Sequence, residues 1–238
     1  MQGQDAGRLI EVNGIRLHVV EAGPVDGEPV VLLHGFPEFW WGWHKQITAL
    51  ADAGFRVAAV DMRGYGQSDA PQNIGSYALG TLVSDIAHLT HTLGWERFNL
   101  VGHDWGGIVA WAFAAYHPLR LKRLLILNAP HPDVLSSVIK ERPSQLLRSS
   151  YIGFFQLPAL PEAALSWNNY ALLRRALVSS SRTGTFSSDD LQHYTTEWAR
   201  EGRLRAMLHY YRALLRRPRP PVGRIAPPTL LLWGCKDS

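Results

Sequence analysis

The chain reads as an α/β protein: a mostly parallel, doubly wound sheet interrupted by a long helical insertion. Three observations predict this. Short apolar, β-branched runs alternate with longer helix-like stretches through the first half of the 238 residues. Residues 133–217 then carry helical sequence rich in Leu, Ala, Arg and aromatics, with no buried-strand pattern. Strand character returns only at Pro228-Thr-Leu-Leu-Leu-Trp233. A composition of 46% hydrophobic and 18% charged residues supplies core material for one large domain or a domain with an insertion. The expected division is a discontinuous core of residues 1–132 and 223–238, with a helical cap at 133–222 lying over the carboxyl edge of the sheet.

Residues 8–12 and 15–21 flank Asn13-Gly14, a dipeptide that favours the tight turn of a hairpin. Pro29-Val-Val-Leu-Leu33 is an unbroken apolar run, as expected of a strand covered on both faces. Helix is expected at 41–53, strand at 56–60 and helix at 76–93. Arg97–Val101 gives a strand and Trp105–Tyr116 a helix, stopped before Pro118. A further strand follows at 121–127. Inside the insertion, breaks are expected at Pro158, Pro161 and Thr183-Gly184, and Arg217–Gly223 reads as the return linker.

The net charge is +4 and the basic residues are nearly all arginine. The cluster Arg212, Arg216, Arg217 and Arg219 reads as a solvated helix face running into the linker, so neither nucleic acid nor a membrane is expected as a partner. The single cysteine, Cys235, excludes an internal disulfide and a multi-cysteine metal site. His88 and His91 are spaced i, i+3 but have no third ligand nearby, and no metal is expected. With no signal-like start and no apolar run of spanning length, a cytoplasmic monomer or homodimer is the expectation.

Function enters at Gly102-His-Asp-Trp-Gly106. A nucleophile held on a sharp strand-to-helix turn between small residues is a nucleophile elbow, and here its central residue is an aspartate. Serine suits acyl carbons and must first lose a proton. A carboxylate is already anionic at neutral pH. It can displace a leaving group from saturated carbon and form an ester, which water can then cleave. Asp104 therefore points to epoxides or alkyl halides, although alone it also fits an N-cap aspartate in a Gly-rich turn. His34-Gly-Phe-Pro37 follows the third strand, and a turn there aims a backbone N–H at the space above the elbow. The N–H groups of Phe36 and Trp105 would form an oxyanion hole.

Together these residues resemble the α/β-hydrolase-fold epoxide hydrolases. The matching pieces are His34-Gly-Phe-Pro-Glu-Phe-Trp40, Asp61-Met-Arg-Gly-Tyr-Gly-Gln-Ser68, Gly102-His-Asp-Trp-Gly-Gly107 and Leu127-Asn-Ala-Pro-His-Pro132. The resemblance implies that Asp104 attacks an epoxide, which leaves as a vicinal diol, without a cofactor; the largely helical, apolar insertion points to an apolar epoxide. It implies that two cap tyrosines bind the epoxide oxygen: Tyr151, in Tyr-Ile-Gly-Phe-Phe-Gln156, and Tyr211, in Tyr210-Tyr-Arg212. Asp237, one loop past the last strand, matches the acid that orients a histidine. His34, Pro37, Trp105 and His131 are expected around the substrate.

In this family the base follows the acid. None of the ten histidines does so, and the base is expected beyond Ser238, in a longer protein whose core continues past this sequence. The nearest rival is a haloalkane dehalogenase, which shares the aspartate but usually has asparagine where Phe36 stands. A non-catalytic binding protein on the same fold is the rival from another class.

Overall fold

A computed structural model describes residues 7–134, 150–217 and 219–235. Its strands are β1 (Arg8–Val12), β2 (Ile15–Ala22), β3 (Glu28–Leu33), β4 (Phe55–Val60), β5 (Phe98–His103), β6 (Leu121–Leu127) and β7 (Thr229–Leu232). Between them run helices α1 (His44–Asp52), α2 (Leu79–Thr92) and α3 (Trp105–Tyr116). Helices α4 (Ser150–Phe154), α5 (Leu160–Ser179), α6 (Ser188–Trp198) and α7 (Arg203–Arg216) lie between β6 and β7.

The strands form one sheet in the order β1-β2-β4-β3-β5-β6-β7. β1 and β2 pair antiparallel through a turn in which Asn13 and Gly14 both take positive φ, as a two-residue hairpin requires. β2 joins β4 antiparallel, and every later pairing is parallel. The chain runs from β3 outward to β4, then returns to place β5 on the other side of β3. This reversal is the topological switch point of the sheet. Connections leave it in opposite directions there, opening a crevice at the strands' carboxyl ends.

Helical coverage explains the strand sequences. Val30–Leu33 and Val57–Val60 are at most 3% exposed, which is why these strands are continuously apolar rather than alternating. β7 contrasts with them, since Leu230, Leu231 and Leu232 are each at least 46% exposed among the described residues. An apolar depression of about 670 Å³ runs along the same side of the sheet, lined by Leu32, Trp43, Leu100, Leu124 and Leu230 among others.

Two expected details change. Pro161 sits in the first turn of α5, where a missing N–H costs no hydrogen bond, so it starts a helix rather than breaking one. The interruption falls at residues 167–170, where Asn168, Asn169 and Tyr170 take left-handed backbone angles. Within the arginine cluster Arg216 and Arg217 are exposed, as a solvated face would be, but Arg212 is not. Arg212 is 5% exposed and donates to both carboxylate oxygens of Glu162, at 2.7 and 3.0 Å, and to the carbonyls of Phe155 and Leu157. Arg216 donates to Gln156 and Arg219 to Asp133. Spacing alone could not show that α7 meets the uncapped carbonyls after α4 on this side.

α6 begins with a capping box in which Ser187 and Asp190 satisfy each other's backbone N–H. Asp190 also accepts from the Trp41 indole at 2.9 Å, tying this helix to the sheet side of the molecule. Trp41 itself lies stacked between His44 and His193, with ring centroids 4.4 and 4.6 Å away. No helix among the described residues is long and apolar enough to cross a membrane.

Candidate active site

Asp104 stands at the switch point, between the end of β5 and the start of α3. Its φ of 49° and ψ of −117° lie outside the regions that non-glycine residues ordinarily occupy. The surrounding structure imposes this conformation. The Asp104 carbonyl accepts the first helical bond of α3 from Ile108 at 3.0 Å. Gly106 lets α3 press onto β3: a Cβ there would fall 2.2 Å from the Leu33 carbonyl oxygen. Gly35 plays the same part above the carboxylate, since a Cβ would fall 2.4 Å from the Asp104 Cβ and 2.7 Å from Oδ1.

The turn after β3 brings the Phe36 N–H to Asp104 Oδ1 at 2.7 Å. The Trp105 N–H bonds the same carboxylate. Burial pushes the Asp104 carboxyl above its ordinary value of 3.8. The His103 charge and the two N–H groups oppose that rise, whereas Glu38 adds to it. Both N–H donors are thus aimed at the carboxyl group itself, where an oxyanion would form if water attacked an ester of Asp104.

The helices between β6 and β7 supply an aromatic roof. Tyr211, on α7, is 5% exposed. Its ring meets Phe36, Trp105 and Phe155 at centroid distances of 5.4, 5.2 and 5.0 Å, and Tyr151 on α4 at 5.8 Å. Tyr151 is 47% exposed and faces the cleft from its rim. Burial raises both phenols above the ordinary value of 10, and the negative charge of Asp104 raises them further. A side-chain hydrogen bond with Trp105 partly offsets the rise at Tyr211. Two protonated phenols therefore sit within electrostatic reach of one carboxylate.

Other residues marked in the sequence occupy different places. His34 is 1% exposed. Its Nε2 accepts from the Met62 N–H at 3.1 Å, so its Nδ1 carries the proton and donates to the Gly35 carbonyl. Burial lowers its pKa, and it braces the turn as a neutral ring. Pro37 gives its carbonyl to the Trp198 indole at 2.7 Å. His131 packs against Trp111 and accepts from the Asp133 N–H. Asp237 lies outside the described residues. Tyr210, beside Tyr211, is fully buried and donates to the Arg63 carbonyl, as a packing residue would.

One cluster had no obvious signal in the sequence. Glu38 lies 3.3 Å from His103 Nδ1 and accepts from the Tyr194 hydroxyl at 3.0 Å. Burial would raise its carboxyl, but His103, Tyr194 and His34 together outweigh that and hold it below the ordinary range. A carboxylate directly after His34-Gly-Phe-Pro37 was the available clue. Its partners lie 65 and 156 residues away, beyond the reach of spacing arguments.

The comparisons agree with this geometry. Residues 28–238 match the family model of the alpha/beta hydrolase fold. The AB hydrolase superfamily protein YfhM of Bacillus subtilis is 46% identical over 233 residues, 97% of this chain and 81% of that protein. Epoxide hydrolase 4 of Mus musculus is 38% identical over 234 residues, covering 96% of this chain, and the chain spans 65% of its length. The crystal structure of epoxide hydrolase VrEH1 from Vigna radiata superimposes with a TM-score of 0.84 at 32% identity, covering 96% of this chain and 79% of that one. By matched length, identity and superposition, this chain belongs to the epoxide hydrolases of the α/β-hydrolase fold family.

Proposed function

We propose that the protein converts an apolar epoxide and water to a vicinal diol through a covalent ester on Asp104, with residues 133–222 acting as the cap. The observation that carries this is the convergence of one buried carboxylate, two N–H donors and two phenols at the switch point. The carboxylate oxygen not held by Phe36 attacks a ring carbon. The carbon–oxygen bond of the strained ring breaks, and the departing oxygen takes a proton from Tyr211 or Tyr151. A phenol with a raised pKa stays protonated at neutral pH and can still give its proton to a departing alkoxide, a strong base. Water then attacks the ester carbonyl carbon. The N–H groups of Phe36 and Trp105 hold the resulting oxyanion, and its collapse releases the diol and restores the carboxylate; of the two protons of the water, one ends on the released oxygen and the other returns to the tyrosine.

The bond changes need only carboxylate, phenols, water and a base. The base of the second step is a histidine that Asp237 orients. Among the histidines nearest the elbow, His34 is committed at both nitrogens and His103 faces Glu38. Apolar substrates fit the roof of Phe36, Phe155 and Trp105. Dehalogenation fits less well. The side chain after Gly35 is a phenyl ring packed on Tyr211 rather than an amide that could donate to halide.

A single-turnover reaction of the full-length protein in oxygen-18 water tests the ester. The first diol is expected to carry unlabelled oxygen from Asp104, with the label appearing in the protein. Heavy oxygen in that first diol would mean direct hydration and would end this reading.

A further inference from the structure

Beside the oxyanion turn, two residues with buried, unpartnered polar atoms line the same small space. The Tyr65 hydroxyl and Arg203 Nε are sealed from solvent, and neither has a hydrogen-bond partner among the described residues. Tyr65 is 1% exposed. Both residues line a cavity with about 10 Å³ of room for the centre of a water molecule, walled also by Pro37, Glu38, Glu197 and Trp198. That is close to the least volume a single water needs, and a buried water is held by two to four polar partners. Glu197 Oε2, 2.9 Å from Arg200 Nε, is a third buried atom on this wall with no hydrogen-bond partner among the described residues. Arg203 Nη1 donates to the Ser68 carbonyl.

The cavity shares Trp198 and Arg203 with an outer pocket of about 500 Å³. It is also walled by Pro37 and Glu38, which follow the turn over Asp104, and Glu38 reaches His103. We infer that this cavity binds one water molecule between the Tyr65 hydroxyl and Arg203 Nε, and that this water is the stepping stone by which solvent from the outer pocket reaches the ester of Asp104. The second half of the inference rests on the ester mechanism proposed above; the first does not. Arg203 Nε–H donates to the water, and the Tyr65 hydroxyl exchanges a hydrogen bond with it.

Two measurements decide the site. A high-resolution crystal structure of the full-length protein should show an ordered water within hydrogen-bond distance of Tyr65 Oη and Arg203 Nε; clear absence of density there overturns the site. Tyr65→Phe keeps the ring against His34 and removes only the hydroxyl. If the water is bound, the variant loses one of its partners and melts a few degrees lower. If the cavity is dry, the variant discards a buried, unpaired hydroxyl and melts higher, which also overturns the site. Rapid-quench kinetics decide the route. Tyr65→Phe should form the ester within twofold of the wild-type rate but hydrolyse it about tenfold more slowly. Equal rates for both steps overturn the route, because a purely structural water would not separate the two half-reactions. If wild-type protein forms no ester at all, the route falls with the proposed mechanism, while the density and the sign of the melting shift still decide the site.

Discussion

The elbow and its aromatic roof meet at one point but are built by different means. The elbow is a backbone device. Asp104 keeps its unusual φ because Gly35 and Gly106 let β3, β5 and α3 approach to distances that any side chain would block. The roof is a side-chain device. Tyr211 is placed by aromatic edges and by the anchoring of its neighbour Arg212 to Glu162 and to the carbonyls of Phe155 and Leu157. The difference suggests that chemistry at the carboxylate tolerates almost no local change, whereas the roof can vary in shape as long as its anchors hold.

The largest expected effect tests the elbow. Asp104→Ala in the full-length protein should lower diol formation by about 10⁴-fold or more, as loss of a covalent nucleophile does, with the fold retained by circular dichroism. Normal turnover in that variant would remove the basis of the comparison. Next come the phenols. Tyr211→Phe should cost about 10²-fold in kcat, within the usual range for a positioned proton donor. Tyr151→Phe should cost about tenfold, because it stands half-exposed where water can replace its hydroxyl. Equal losses would show that burial does not distinguish the two.

Stability separates the regions further. Gly106→Ala drives a methyl group into the Leu33 carbonyl and should cost about 3 kcal/mol in thermal or urea unfolding. Arg212→Met leaves Glu162 and two carbonyls without their donor and should cost about 2–3 kcal/mol, with KM rising more than kcat falls. A variant that kept wild-type KM would show that the anchor does not shape the roof.

The smallest effect concerns pH. Burial raises the Asp104 pKa in the folded protein, so the folded state holds this proton more tightly than the unfolded chain does. The stability associated with it is fully present below the ordinary value of 3.8 and is lost as pH rises through the folded pKa. At neutral pH the ionised carboxylate is therefore a cost to the fold. Asp104→Asn should raise the neutral-pH melting temperature slightly and flatten its acid-side pH dependence. In active protein, ester formation should begin to fail above the pH at which an exposed carboxylate would protonate. An acid limb at the ordinary value would contradict the burial seen here.

Much of this was legible before any coordinates. The hairpin at Asn13-Gly14, the parallel strands and the elbow rest on rules a few residues long, and β1 through β6 fall close to where apolar runs and turn residues place them. Arg212 was misread because its spacing resembled an exposed face, while its partners lie 50–57 residues away. Tyr65 stands in a motif the sequence marks, but nothing local pairs it with Arg203, because their meeting depends on how α6 and α7 settle over the loop after β4.

The sequence by itself determined the residue type at the nucleophile, the small neighbours that a sharp turn demands and the alternation that builds the sheet. These follow from short-range sterics and from which faces must be buried. Only the tertiary structure decided which tyrosine is buried, that Glu38 meets His103, and which polar atoms near the turn lack a partner among the described residues. Those outcomes depend on contacts between segments far apart in the chain, and close packing selects among many pairings that local preferences leave equally open.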